Sequence, residues 1–139
     1  MIITRRSALA TASVRPAATF TGEVWRDSRL RDKAIIVNDV FFAPTARTHW
    51  HRHEHGQLLI VTHGFGLVHV KGEPSSPIGP SDMVYFPAGE EHWHGAGPET
   101  YLVHTAISLG ETDWMDPVSA DEYDGALRSC GGLFVEEWS

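Results

Sequence analysis

The feature that most constrains this chain is a succession of short apolar or alternating runs, each closed by glycine, proline or aspartate. "AIIVNDVFFA" (34–43) reads as a strand, and "RTHWHRH" (47–53) alternates. "QLLIVT" (57–62) and "FGLVHV" (65–70) follow, separated by His63-Gly64. After the turn-rich "KGEPSSPIGPSD" (71–82) come "MVYFP" (83–87) and "YLVHTAISL" (101–109). Runs of this length, at this spacing, with turn residues between them, predict an all-β sandwich or barrel. Only the tail reads as helical. Ser119 followed by Glu122 is a capping-box pattern ahead of "YDGALRSC".

The chain has 139 residues, enough for one domain with a real core. No repeat, linker or low-complexity tract divides it. The net charge of −7 argues against a nucleic-acid partner, whose binders carry a basic patch. It also argues against an anionic membrane surface. No apolar run reaches the ~18 residues that a membrane span needs. The single cysteine, Cys130, rules out an internal disulfide and any thiolate-rich metal site, which fits a reducing cytoplasm. The opening "MIITRRSALATASVRP" pairs two arginines with small residues, as a twin-arginine export signal would. It lacks the apolar stretch of ~7–15 residues such a signal needs, and is read instead as an N-terminal arm.

The chemistry sits in "THWHRHEHGQ" (48–57), where His49, His51, His53 and His55 alternate with other residues. Along a straight strand all four point the same way. They cannot all reach one ion. At ~3.3 Å per residue the outer two lie about 20 Å apart, whereas a metal–nitrogen bond is only about 2 Å. One His-x-His pair is therefore the core of a site, and 49/51, 51/53 and 53/55 compete.

With 51/53 as the pair, Gln57 follows after three residues and Gly64 after six more. Further on, "PAGEEHWH" supplies Pro87, Gly89 and His92. These blocks resemble the two motifs of the cupin superfamily, G-x5-H-x-H-x3/4-E-x6-G and G-x5-P-x-G-x2-H-x3-N. The resemblance implies a small antiparallel β-barrel (a jelly roll) with a short C-terminal helix. It implies one divalent metal held by His51, His53, Gln57 and His92. Manganese is the first expectation, with iron, nickel, cobalt or zinc as alternatives for such a nitrogen and oxygen donor set. Residues 1–21 are then an arm, read as a strand available for exchange between subunits, and 22–139 the barrel.

The chain departs from the motifs at four positions. Thr45 and Ser81 stand where the motifs have glycine, Gln57 where the first has glutamate, and Ala96 where the second has asparagine.

"ARTHWHRHEHGQLLIVTHGFG", "GEEHWHGAGP" and "DWMDPVSADEY" are similar to the small bacterial cupins that include manganese-dependent hydroxynitrile lyases. The likeness runs from about residue 22 to 125. That group also has glutamine at the fourth ligand position, and a further histidine acting as general base, here His104. Alternation places His104 on one face with Leu102, Ala106 and Ser108. The resemblance implies a metal-dependent lyase for a small carbonyl or cyanohydrin-type substrate, in a homodimer or homotetramer. Two other classes stay open: a different cupin enzyme, isomerase or dioxygenase, and a non-catalytic small-ligand-binding cupin. Oxygen uptake would favour the dioxygenase, and His104 pointing out of the pocket would favour the binding protein. His94 reads as a neighbour of the site or its rim, His49 and His55 as rim residues, and Trp50 and Trp93 as packing on the opposite face.

Overall fold

The computed structural model describes residues 1–5, 13–16 and 18–130. Twelve strands and one helix follow in chain order. They are β1 (Phe20–Thr21), β2 (Val24–Arg31), β3 (Ile35–Phe42), β4 (Arg47–Thr48), β5 (His51–His53) and β6 (Gln57–Gly64). Then come β7 (Gly66–Val70), β8 (Ser76–Ile78), β9 (Met83–Phe86), β10 (His92–Ala96), β11 (Leu102–Leu109), β12 (Thr112–Trp114) and α1 (Ala120–Ser129). The strands form two antiparallel sheets that curl over one another. One runs β2-β3-β11-β6-β9. The other carries β1-β4-β10-β5-β12, with β7 and β8 attached through β10. This is the expected all-β barrel with its short helix. No helix among the described residues is long and apolar enough to cross a membrane.

Period-two alternation decides what fills the barrel. Leu59 and Val61 of β6, Val40 and Phe42 of β3, and Leu102 and Ala106 of β11 point inward. They join Val68, Ile78 and Phe86 in one buried cluster. The other face of the second sheet carries Leu67 and Trp93. They pack under α1 against Val118, Tyr123 and Ala126. Trp93 is fully buried there, which settles its role as packing. The helix starts at the capping box: Ser119 Oγ accepts from the Glu122 amide, and the Glu122 carboxylate accepts from the Ser119 amide.

The run 47–53 is not one strand. It breaks at His49-Trp50, between β4 and β5. The break turns His49 off the line of His51 and His53. The expected strands at 57–62, 65–70, 83–87 and 101–109 form within a residue or two. β8, β10 and β12 lie in stretches rich in Gly, Pro or charge, where no run signalled a strand. Of the stretch read as an arm, Phe20 and Thr21 pair with Thr48 and Arg47 of the same barrel. Residues 6–12 and 17 of that arm, and 131–139 at the other end, lie outside the described residues.

Thr45 and Ser81, the two departures from motif glycine, keep the backbone that glycine favours, with φ of 71° and 74°. A left-handed conformation costs an L-residue roughly 1–2 kcal/mol, while glycine costs roughly 0.5–1 kcal/mol in unfolded-state entropy. Thr45→Gly and Ser81→Gly are therefore each expected to raise stability by about 0.5–1 kcal/mol. Threonine, being β-branched, should gain the more. Thermal melts of the two variants check this, and a loss of stability in both would show that the turns are not strained.

A candidate metal centre facing a pair of buried histidines

His51 and His53 leave β5 on one face of the second sheet. His92 arrives from β10, whose register places it directly opposite His51. The ligand-capable nitrogens of the three lie within 4.8 Å of one another, and all three residues are buried. Gln57 enters from the facing sheet at the start of β6.

Each ring is held by its outer nitrogen. His51 Nδ1 bonds the His49 carbonyl at 2.8 Å, and His92 Nδ1 bonds the Glu90 carbonyl at 2.8 Å. His53 Nδ1 meets Thr112 Oγ1 at 3.0 Å. A carbonyl only accepts, so Nδ1 of His51 and His92 carries the proton and Nε2 keeps its lone pair. Phe86 stacks on the His92 ring with centroids 3.5 Å apart. Trp114 lies 4.5 Å from the His51 ring centroid.

Two observations fit this cluster to a cation. His53 Nε2 is buried with no hydrogen-bond partner. The Gln57 amide donates through Nε2 to Ser108 Oγ at 3.0 Å, which turns Oε1 toward His92 Nε2 at 3.2 Å. Oε1 and a deprotonated Nε2 are both acceptors. Their lone pairs converge, an arrangement that a shared positive ion relieves. Outer hydrogen bonds that fix tautomer and ring angle are what metal-ligating histidines have in their surroundings.

Burial holds every one of these imidazoles neutral at pH 7. It pushes His53 down to about 4 and His92 to about 3, and His51 well below its ordinary range. His51 is lowered further by its neighbour His92.

The opposite wall carries His104, fully buried on β11 with Leu102, Ala106 and Ser108 on the same inward face, as alternation predicted. Its Nε2 is 3.0 Å from Nδ1 of His94. Only one proton fits between them. The two outer nitrogens, His104 Nδ1 and His94 Nε2, are buried and unpartnered. One therefore holds a lone pair and the other an N–H, whichever tautomer the bridge adopts. Burial pushes His104 down to about 4, and His94 well below the usual range with His104 as the next cause.

The metal-free protein should lose stability on acidification. Groups with lowered folded pKa bind fewer protons than the unfolded chain between about pH 6.5 and 3. Stability is full above that window and falls through it, with His104 alone worth on the order of 3 kcal/mol. Urea midpoints measured across this range check it. A flat profile would contradict the buried, neutral assignment.

His51, His53, Gln57, His94 and His104 line one cavity of about 450 Å³, within the size range of small-molecule sites. Phe20, Phe42, Thr112 and Trp114 also line it. His94 is no rim residue: it is buried and bonded to His104. His55 lies outside, exposed beside Glu54 at 3.4 Å. His49 contributes its carbonyl, not its ring. Thr112 and Trp114 were not singled out in the sequence. Their strand is three residues long and shows no alternation.

Residues 38–105 match the family model described as "Cupin domain". Over 115 residues the chain is 43% identical to an (R)-mandelonitrile lyase from Granulicella tundricola, covering 78% of this chain and 88% of that one. The chain belongs to the cupin superfamily. This cupin also superposes on the crystal structure of a cupin-like protein from Thermotoga maritima, with a TM-score of 0.80 and 38% identity. That match covers 84% of this chain and 94% of the other. A shorter similarity, 28% over 75 residues, links the cupin to an acireductone dioxygenase from Gluconobacter oxydans, covering 52% of this chain and 40% of that protein.

Proposed function

We propose that this cupin is a metal-dependent lyase of the hydroxynitrile type, joining or separating cyanide and a small carbonyl compound. The observation that carries the reading is a buried imidazole base, His104, that shares one cavity with His51 and His53 of the three-histidine cluster. The 43% identity to an (R)-mandelonitrile lyase supports it.

His51, His53 and His92 would hold the ion, with the Gln57 Oε1 as fourth donor; manganese and iron suit this set. A bound divalent ion supplies Lewis acidity to a substrate oxygen and positive charge for a departing anion. Because all four donors are neutral, none of that charge is cancelled by the protein. The residues do the rest. His104, neutral at pH 7, accepts the cyanohydrin hydroxyl proton as the bond between the carbinol carbon and the nitrile carbon breaks. His94 fixes the His104 ring through the Nε2–Nδ1 bond. The electron pair of the broken bond leaves with cyanide, and the proton gained by the histidine pair returns to it. Phe20, Phe42 and Trp114 keep water from the reacting end.

Protein loaded with one equivalent of manganese should cleave mandelonitrile to benzaldehyde and cyanide well above the uncatalysed rate. No cleavage by fully loaded manganese and iron forms would remove the lyase reading. Oxygen consumption with a catechol or diketone substrate would put a dioxygenase in its place, although a neutral donor set raises the metal's potential and works against O2 reduction.

A further inference from the structure

The same cavity has a cationic side that the lyase reading does not use. Arg26, Arg31 and Lys33, all from the β2–β3 hairpin, line it, against a single carboxylate, Glu111. This is a chain of net charge −7. None of the three side chains makes a hydrogen bond or ion pair to another described residue. The outward-facing arginine of the same strand behaves differently: Arg29 pairs with Asp39 at 3.2 Å.

The strand is built to aim them. Arg26 pairs with Val40, which pairs with His104. Arg31 pairs with Ile36, which pairs with Ser108, next to Gln57. Arg26 and Arg31 are five residues apart, so a regular strand would put them on opposite faces. A bulge between Ser28 and Leu30 shifts the register. It turns Leu30 outward against Val37 and Arg31 inward. Bulges re-aim side chains in this way beside functional sites. Asn38, between the two arginine rungs on β3, adds an amide oxygen that is buried without a partner.

Unpaired cations converging on a pocket raise the local concentration of anions and need a counter-charge. The geometry points to a substrate that carries a carboxylate at the end remote from its reacting carbon, held by Arg26 with Arg31 and Lys33 at the mouth. Two strand spacings separate Arg26 from His104, about 10 Å, so the carboxylate stands across a short spacer such as an aromatic ring. This deepens the proposed function and rests on that site being the substrate pocket: the preferred substrate is an acid bearing a carbonyl or cyanohydrin, bound more tightly than its neutral counterpart.

The test uses manganese-loaded protein and two probes, 4-formylbenzoate and benzaldehyde, compared by calorimetry. The anionic probe is expected to bind at least about tenfold tighter, the scale of a charge-assisted hydrogen bond. The preference should shrink as salt is raised. It should fall in Arg26→Gln and return in part in Arg26→Lys. Arg31→Gln, at an exposed position that the fold does not need, should reduce it independently. Equal binding of both probes by the wild-type protein, or a preference untouched in both glutamine variants, overturns the inference. Charge preference without any cyanohydrin cleavage would support the carboxylate site and sink the lyase. Cleavage of mandelonitrile without charge preference would do the reverse.

Discussion

His53→Ala is expected to leave a folded barrel that no longer retains a divalent ion. His53 lies on β5 beside the edge strand β12, its Nδ1 held by Thr112 and its Nε2 buried without a partner. Removing the ring deletes one of three convergent nitrogens and opens the site beside exposed Arg52 and Glu54. Losing an outer-shell partner typically costs 10–100-fold in metal affinity, and losing a ligand should exceed the upper end, roughly 100-fold or more. Elemental analysis of wild type and variant, purified side by side and soaked in manganese, reads this directly. Gln57→Ala should weaken retention less, because three nitrogens remain. Gln57→Glu should keep the ion and cancel one unit of its charge, lowering lyase activity even at full occupancy. Undiminished metal in His53→Ala would place the metal elsewhere.

The second large effect is on rate. His104→Phe should retain metal and fold, and lower cyanohydrin cleavage by about 10²–10⁴-fold, the range for a positioned acid or base. The side chain is fully enclosed, with Phe42 as a ring neighbour at 5.1 Å, so an aromatic replacement keeps the packing. The metal content of His104→Phe separates a missing base from a damaged site. Because His104 acts with His94, the double variant should cost little more than either single one, as groups acting as a unit are not additive. Full activity in His104→Phe would assign the proton transfer to another group.

The two predictions rest on different parts of the molecule, and those parts were not equally legible. The metal centre was visible in the chain as His51-x-His53 with Gln57 three residues on and His92 in the second motif. The histidine pair was not. His94 follows His92 by two and shares its face, but nothing local says that its ring meets one ten residues later on the other sheet. Nor does "VWRDSRLR" show that Arg26 and Arg31 share the inward face, since a regular strand puts residues five apart on opposite faces.

What the sequence determined by itself was the alternation of faces along the longer strands, the capped helix, the neutrality of the donor set and the need to choose among the His-x-His pairs. These depend on period and residue type, which are local. Only the tertiary structure decided that the chain breaks at His49-Trp50, that His92 stands opposite His51, that His104 is bonded to His94, and that a bulge turns Arg31 into the cavity. The two histidine contacts follow from the register between strands distant in sequence, and the aim of Arg31 from the register shift within the β2–β3 hairpin. Register is fixed by which faces the packed core must bury, and a shift of one residue reverses every side chain.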